Sequence, residues 1–172
     1  MATYNAPAPT DTELAYAAGI IDGEGTISAY RQKSPLGHFR YYIKVHFDMI
    51  EDDIPLWFQL KFGGKFSPNQ NRATSTARQH WGINCRKAAQ FLEHIVPYLR
   101  LKKNRAELAI QLANAARKPG QNTERRVSGK RIASLPLSLE EQTTREGLAL
   151  QIRRENLLSN KGASSTAKWG VN

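Results

Sequence analysis

The chain has 172 residues and carries 25 Lys and Arg against 15 Asp and Glu, so its formal net charge is +10. A field of that sign attracts polyanions such as nucleic acid, whatever fold carries it. The single Cys85 excludes an internal disulfide or a cysteine-based zinc site and favours a reducing intracellular compartment, cytoplasm or organelle, and no apolar run reaches the about 18 residues of a membrane helix.

The N-terminal part predicts a short leader and then a helix. Residues 1–9 are rich in Ala and Pro, which indicates a flexible leader before a single domain over 10–158. Thr10 and Glu13 form a capping-box pattern, and the small apolar residues behind them predict a helix to about Asp22. Because this helix is apolar nearly all round, we expect it to pack on more than one side.

A change to a two-residue period predicts a β-hairpin over 25–33 and 39–49, with its turn at 34–37. Odd-numbered residues of the second strand, from Phe39 to Met49, form an apolar face, and the even-numbered ones form a polar, basic and aromatic face. That second face is either an ordinary solvated face or a surface for nucleic acid.

The rest of the chain predicts mixed secondary structure. We expect a helix over 53–62 with Trp57, Phe58 and Leu60 inward, strands at 65–69 and 76–84, and helices over 86–96, 101–117 and 138–158. Residues 117–136 are predicted to be a basic surface connection, and 159–172 a mobile tail. This order of elements indicates an α+β fold.

Two acidic residues, Asp22 and Glu24, stand where the first helix meets the first strand. Ala15, Gly19 and Asp22 lie on one stripe at i, i+4 and i+7, and small residues on a stripe let a second backbone approach closely. A second chain docked there would bring its own acids alongside, and carboxylate oxygens suit Mg²⁺. The segment therefore predicts a divalent-metal site on a two-fold axis, against the alternative of a plain helix-stop turn.

Residues 17–25, AAGIIDGEG, are similar to the LAGLIDADG motif of homing endonucleases; the differences include Ala17, Gly23 and Glu24 in place of Leu, Ala and Asp. The order of elements and the segment HIVPYLRLKK at 94–103 extend the resemblance over most of the chain. The resemblance implies an αββαββα homing-endonuclease fold with an antiparallel DNA-binding sheet and additional C-terminal helices. One copy of the motif implies the homodimeric branch of the family, in which two chains form one active site.

By the same resemblance, the activity is a double-strand break in a long pseudo-palindromic DNA site, made by Mg²⁺-dependent phosphodiester hydrolysis. Glu24 and the Gly23 carbonyl would bind Mg²⁺ or another divalent cation such as Mn²⁺. Lys102 would offset charge on the phosphate, although Arg100 and Lys103 are close enough in sequence to take that role, and Glu51 would order water. The predicted dimer interface comprises Ala15, Ala18, Gly19 and Asp22.

Reading of DNA is assigned to the polar face of the sheet, because a curved antiparallel sheet can lie in the major groove. The predicted DNA-binding residues are Ser28, Tyr30, Gln32, Arg40, Tyr42, Lys44, His46, Asp48, Lys65, Ser67, Asn69, Arg78 and His80. Basic residues of the connection are predicted to grip phosphates, namely Arg117, Lys118, Arg125, Arg126, Lys130 and Arg131.

Two other classes of function stay open on the sequence. One is a non-cleaving relative that acts as an intron-splicing RNA cofactor or as a DNA-binding regulator, and the other is a basic α+β adaptor whose acids are structural. The presence of Glu24 and Lys102 favours cleavage over both.

Overall fold

The computed structural model of the chain describes residues 8–33, 39–69, 78–115, 126–127, 130–131 and 138–164. The predicted turn at 34–37 and most of the predicted leader, connection and tail lie outside these residues.

Helix α1 spans Asp11–Gly23 and begins at the predicted capping box. The Thr10 N–H donates to the Glu13 carboxylate at 2.8 Å, and the Glu13 N–H donates to the Thr10 hydroxyl at 3.3 Å. The Lys61 ammonium lies 2.7 Å from the other oxygen of the same carboxylate, and this contact with Lys61, together with Thr10, lowers the pKa of Glu13. The start of α1 is thereby tied to the neighbouring helix.

Four strands form one antiparallel sheet in the order β1-β2-β4-β3: β1 (Thr26–Lys33), β2 (Phe39–Met49), β3 (Lys65–Asn69) and β4 (Arg78–Asn84). The hairpin of β1 and β2 confirms the change of period seen in the sequence, and its register sets Thr26 opposite His46. Tyr41, Ile43, Val45 and Phe47 are buried, as the odd-numbered pattern predicts. The even-numbered residues from Tyr42 to Asp48 are only partly buried on the other face.

The helices are α2 (Asp53–Phe62), α3 (Cys85–Ile95), α4 (Lys103–Asn114) and α5 (Leu139–Ser164), with a 3₁₀ turn at Val96–Tyr98. Helix α5 extends past the predicted end at Leu158, and a two-residue strand pair, β5 (Arg126–Val127) and β6 (Lys130–Arg131), lies inside the segment predicted as a plain connection. None of the helices in the described ranges has the length and apolar character of a membrane span.

The inward orientation predicted for Leu60 is wrong. Phe58 and Pro55 are fully buried and set the inner face of α2, whereas Leu60 is 64% exposed. At 100° per residue, a side chain two positions after Phe58 points about 200° away from it.

An aromatic cluster fills the core between the sheet and the helices. Phe58 lies at its centre, with ring centroids 4.7 Å from Phe47 and 4.8 Å from Trp81. Trp81 is fully buried and its indole N–H donates to the Gly63 carbonyl at 2.9 Å, so its polar atom is satisfied. Helix α5 completes the core with the fully buried Ile152. All of this packing lies on one face of the sheet, and it leaves the polar face open.

Candidate active site and nucleic-acid interface

Asp22 joins the end of α1 to the segment before α4. Its carboxylate accepts the backbone N–H groups of Arg100 at 2.7 Å, Leu101 at 3.2 Å and Lys102 at 2.9 Å. These three amides lie just before α4, which begins at Lys103, two residues after the predicted Leu101. Asp22 is therefore a structural residue of the protomer as well as a predicted interface residue.

Lys102 completes the junction from the other side. Its ammonium donates to the carbonyls of Ile21 at 2.8 Å, Asp22 at 2.7 Å and Gly25 at 2.7 Å. An ammonium has three protons, so all of them are used within the protomer. Burial and the nearby Arg105 lower the pKa of Lys102, whereas Asp22 and Glu24 favour its charged form. A cation at this place complements the negative end of the α1 dipole.

Gly25 allows the chain to turn tightly out of α1. A Cβ at this position would lie 2.7 Å from the Cα and 2.8 Å from the carbonyl oxygen of Ile21. The contact is with backbone, so no side chain fits here without moving the end of the helix. The glycine that closes the nonapeptide therefore serves close packing, and it holds the preceding Glu24 at the exit of α1.

A cleft of about 440 Å³ opens beside this exit. Its lining residues are Glu24, Asp48, Met49, Ile50, Glu51, Ile54 and Arg78. The sheet register explains why these residues lie together. Thr26, at the start of β1, pairs with His46 of β2, and Asp48, two residues further along β2, pairs with His80 of β4. The structure thus brings the two predicted active-site acids, Glu24 and Glu51, into one cleft. Their catalytic roles stay predictions.

The cleft differs from the sequence prediction in two of its members. Asp48 and Arg78 were predicted as readers of bases, but both line the cleft with Glu24 and Glu51. Lys102, predicted to act on the phosphate, is 9% exposed and is not among the lining residues. The sequence alone does not show that the first residue of β4 lies near the end of β2. Only the strand pairing shows the proximity of Arg78 to the acids.

The described part of the chain offers few groups for a metal ion. Among the residues the structure describes, no group of three or more His, Cys, Asp and Glu side chains is placed to hold a metal ion. Glu24 and Gly23 are both exposed at the end of α1. A carboxylate and a carbonyl are hard oxygen donors and suit a hard divalent cation, but they supply only part of the about six ligands that Mg²⁺ takes.

The outer surface of α1 presents small residues. Ala15 and Gly19 are exposed, and a Cβ added at Gly19 would meet no atom within 4 Å. Ala18 was predicted to lie in the dimer interface, and this is wrong, because it is 0% exposed within the protomer core. Beside the small residues, the 48% exposed Tyr16 packs edge-on against Trp57 with ring centroids 5.5 Å apart.

The register places all the predicted DNA-reading positions on one face of the sheet. Ser28 lies opposite Lys44, Tyr30 opposite Tyr42, and Gln32 opposite Arg40; His80 lies between Asp48 and Ser67; Arg78 lies opposite Asn69, and Lys65 opposite Gly82. Tyr30 and Tyr42 stack with centroids 5.4 Å apart, and the His80 Nδ1 lies 3.0 Å from the Asp48 carboxylate.

Two positions on this face were missed by the sequence reading. Thr26 lies opposite His46, and Gly82 lies between His46 and Lys65. A Cβ at Gly82 would come within 3.0 Å of the His80 Nε2 and 3.2 Å of the Lys44 Cε. The two-residue period of β4 places Gly82 on the same face as His80, so the sequence contains this information. Glycine has no side chain to bind a base, and the pattern of polar side chains therefore does not include it.

His46 is the titrating residue of this face with the largest change. Burial, together with Lys44 and His80, lowers its pKa to about 4, and Asp48 acts in the opposite direction. Its Nδ1 is buried without a hydrogen-bond partner among the described residues. The neutral ring is therefore the form that the folded sheet holds.

This predicts a loss of stability in mild acid. Because the unfolded chain binds the His46 proton with the ordinary pKa of about 6.5 and the folded chain with a pKa of about 4, this contribution to stability is complete above pH 6.5 and is lost as the pH falls toward 4. We expect a loss of about 1–2 kcal/mol by about pH 5, allowing for solvent screening of a partly exposed ring. Urea denaturation of wild type and His46→Gln, above pH 6.5 and at about pH 5, measures this loss of stability, and His46→Gln should lose less than wild type. His94 is exposed, so the control His94→Gln should lose as much stability in acid as wild type. If His46→Gln lost as much stability as His94→Gln, His46 would not be the titrating group.

No protein-family model matches the chain. DNA endonuclease I-CreI from Chlamydomonas reinhardtii is 26% identical over 137 residues, which cover 77% of this chain and 84% of the relative. The archaeal intron-encoded homing endonuclease I-Vdi141I, solved in complex with DNA, matches with a TM-score of 0.63 at 14% identity, over 94% of this chain and 88% of that one. The homing endonuclease I-CvuI, solved with the I-CreI target and 2 mM Mg, matches with a TM-score of 0.59 at 18% identity, over 93% and 86%. These likenesses confirm the predicted α+β architecture.

Proposed function

Since the chain belongs to the LAGLIDADG family of homing endonucleases, we propose that it makes a double-strand break in a long, pseudo-palindromic DNA site as a homodimer. The observation that carries the proposal is the cleft lined by both Glu24 and Glu51 beside the polar sheet face. DNA bound along that face would pass a phosphate over the cleft.

The donors at the end of α1 fit a divalent cation. Glu24 would hold Mg²⁺ or Mn²⁺ through its carboxylate and Gly23 through its carbonyl, and phosphate oxygens, water and a second chain would complete the set. Such a cation activates water and stabilises the leaving oxygen in phosphodiester hydrolysis. Support for a divalent cation comes from two I-CvuI complexes, one solved with 2 mM Mg and uncleaved DNA and the other with 2 mM Ca.

The chain's own residues supply positioning. Glu51 is exposed at the end of β2 and can accept a hydrogen bond from the attacking water. Lys102 and Asp22 hold the exit of α1 against segment 99–102 and so fix where Glu24 stands. Holding reacting groups in place supplies much of the rate enhancement in this type of reaction.

The open surface of α1 supports a homodimer. Ala15 and Gly19 let a second α1 approach closely, and Tyr16 extends the contact surface with an apolar ring. The two copies of Glu24, each at the end of its own helix, would then stand near the two strands of one duplex. Two cuts related by a two-fold axis match the symmetry of a pseudo-palindromic site.

Gly19→Leu is expected to abolish the dimer without unfolding the protomer. The new side chain enters open space within the protomer but occupies the place of the second helix. Sedimentation equilibrium should give the mass of one chain, with an unchanged far-UV circular dichroism spectrum. Gly147→Leu is the matched control, since it also adds a side chain in open space on an exposed helix surface. A dimeric Gly19→Leu would contradict the interface.

The experiment that tests the function uses DNA selected by the protein itself. Duplexes are enriched for binding from a randomised library in Ca²⁺, and the winners are incubated with wild-type protein in Mg²⁺, in Mn²⁺ or in EDTA. We expect cuts in both strands with either Mg²⁺ or Mn²⁺ and none in EDTA. Selective binding without cutting would indicate a DNA-binding regulator, and preferential binding of structured intron RNA would indicate a splicing cofactor.

A further inference from the structure

We infer that Arg78 supplies the positive charge that meets the scissile phosphate, so that it is a catalytic residue and not a reader of bases. The inference rests on the proposed function. Among the residues the structure describes, Arg78 is the one basic side chain that lines the cleft with Glu24 and Glu51.

Lys102, which the sequence predicts to meet the phosphate, has no N–H donor left for it. The Lys102 Nζ lies 2.7 to 2.8 Å from three backbone carbonyl oxygens, one for each of its protons. To bind a phosphate, Lys102 would have to give up one of these three bonds. The Ile21 carbonyl also accepts the Gly25 N–H at 3.1 Å, but a carbonyl at the end of α1 that loses its donor costs about 1–3 kcal/mol. Its alternatives, Arg100 and Lys103, are exposed but do not line the cleft in the described part of the chain.

Arg78 is free to bind an anion. It is exposed, and within the described ranges its guanidinium has no hydrogen-bond or ion-pair partner. Asp48 lies in the same cleft, where its Oδ1 is 3.0 Å from the His80 Nδ1, and it forms no ion pair with Arg78 within the described ranges. A guanidinium offers five N–H donors in a planar fork that matches two phosphate oxygens at once.

The sheet order sets Arg78 across from Glu24. Glu24 precedes β1 and Arg78 begins β4, and β2 lies between these two strands. The two side chains therefore flank the end of β2, where Glu51 stands. A phosphate over the cleft would meet the acid at the end of α1 on one side and the guanidinium on the other.

Arg78 acts in this step without exchanging a proton. Water adds to phosphorus, the bond to the leaving sugar oxygen breaks, and a proton from the water ends on that oxygen. Arg78 donates hydrogen bonds to the non-bridging oxygens, which gain negative charge in the transition state. Donors aimed at developing charge are worth more to the transition state than to the bound substrate.

The test separates rate from affinity on the duplex enriched above. Cleavage is measured in a single turnover with protein in saturating excess, and affinity is measured separately in Ca²⁺. Arg78→Gln should lower the saturated rate by about 10²-fold and the affinity by less than about tenfold. Arg78→Lys should recover part of the rate, and guanidinium ion should partly restore Arg78→Ala. Arg86→Gln, which removes the same charge from an exposed site on α3, should leave both quantities unchanged.

The possible results distinguish a failure of the role of Arg78 from a failure of the proposed function. If Arg78→Gln cuts at the wild-type rate under saturation but binds weakly or loses selectivity, Arg78 reads DNA and the inference is overturned. If wild-type protein binds the enriched duplex but does not cut it in Mg²⁺ or Mn²⁺, the proposed function and this inference both fall. Cutting by wild type together with a slow Arg78→Gln that guanidinium ion rescues supports both.

Discussion

Glu24→Gln is expected to lower the single-turnover rate of DNA cleavage by about 10³-fold or more, because it removes the charge of a proposed metal ligand from the cleft. The amide has nearly the same size as the carboxylate, so the fold should be retained. Affinity for DNA in the absence of divalent cations should rise slightly, since one repulsion with the phosphates is lost. Cleavage and binding assays on the enriched duplex measure the two effects.

The matched control for this prediction is Glu24→Asp. It keeps the charge, shortens the side chain by one methylene, and installs the residue that the LAGLIDADG motif carries at this place. We expect a loss of about tenfold, as for a ligand that is shifted but still present. Cleavage by Glu24→Gln at the wild-type rate would remove Glu24 from the active site, and with it the proposed metal-binding role.

Lys102→Met is expected to lower the free energy of unfolding by about 3–5 kcal/mol. The substitution keeps an unbranched side chain of similar length but leaves the carbonyls of Ile21, Asp22 and Gly25 without their shared donor. It also removes the buried cation that faces Asp22 and Glu24. Urea denaturation followed by circular dichroism measures the change.

The neighbouring Lys103→Met is the control, because Lys103 is exposed and its loss should change stability by less than about 0.5 kcal/mol. The same pair of variants tests what Lys102 does for the reaction. A stable Lys102→Met that fails to cut DNA would show that its ammonium acts on the substrate, against the geometry of three carbonyl contacts. A destabilised Lys102→Met would instead identify it as the residue that holds the exit of α1.

Local sequence determined most of the secondary structure. The capping box at Thr10 predicted where α1 begins, and the same pattern at Ser138 and Glu141 marks the start of α5, because such a pattern satisfies amides within four residues of one another. The two-residue period predicted which face of β2 is buried, since alternate side chains of a strand point to opposite faces. The nonapeptide at 17–25 predicted the fold by resemblance.

Tertiary structure decided which of the candidate residues meet. Ala18 turned inward and Leu60 outward, because the direction of a helix face depends on what packs against it. The donors of Lys102 went to carbonyls up to 81 positions away, and Arg78 joined Glu24 and Glu51 through the pairing of β2 with β4. Periodicity reports what lies within a few residues along the chain. Contacts between distant segments depend on sheet order and helix packing, and only the folded structure contains them.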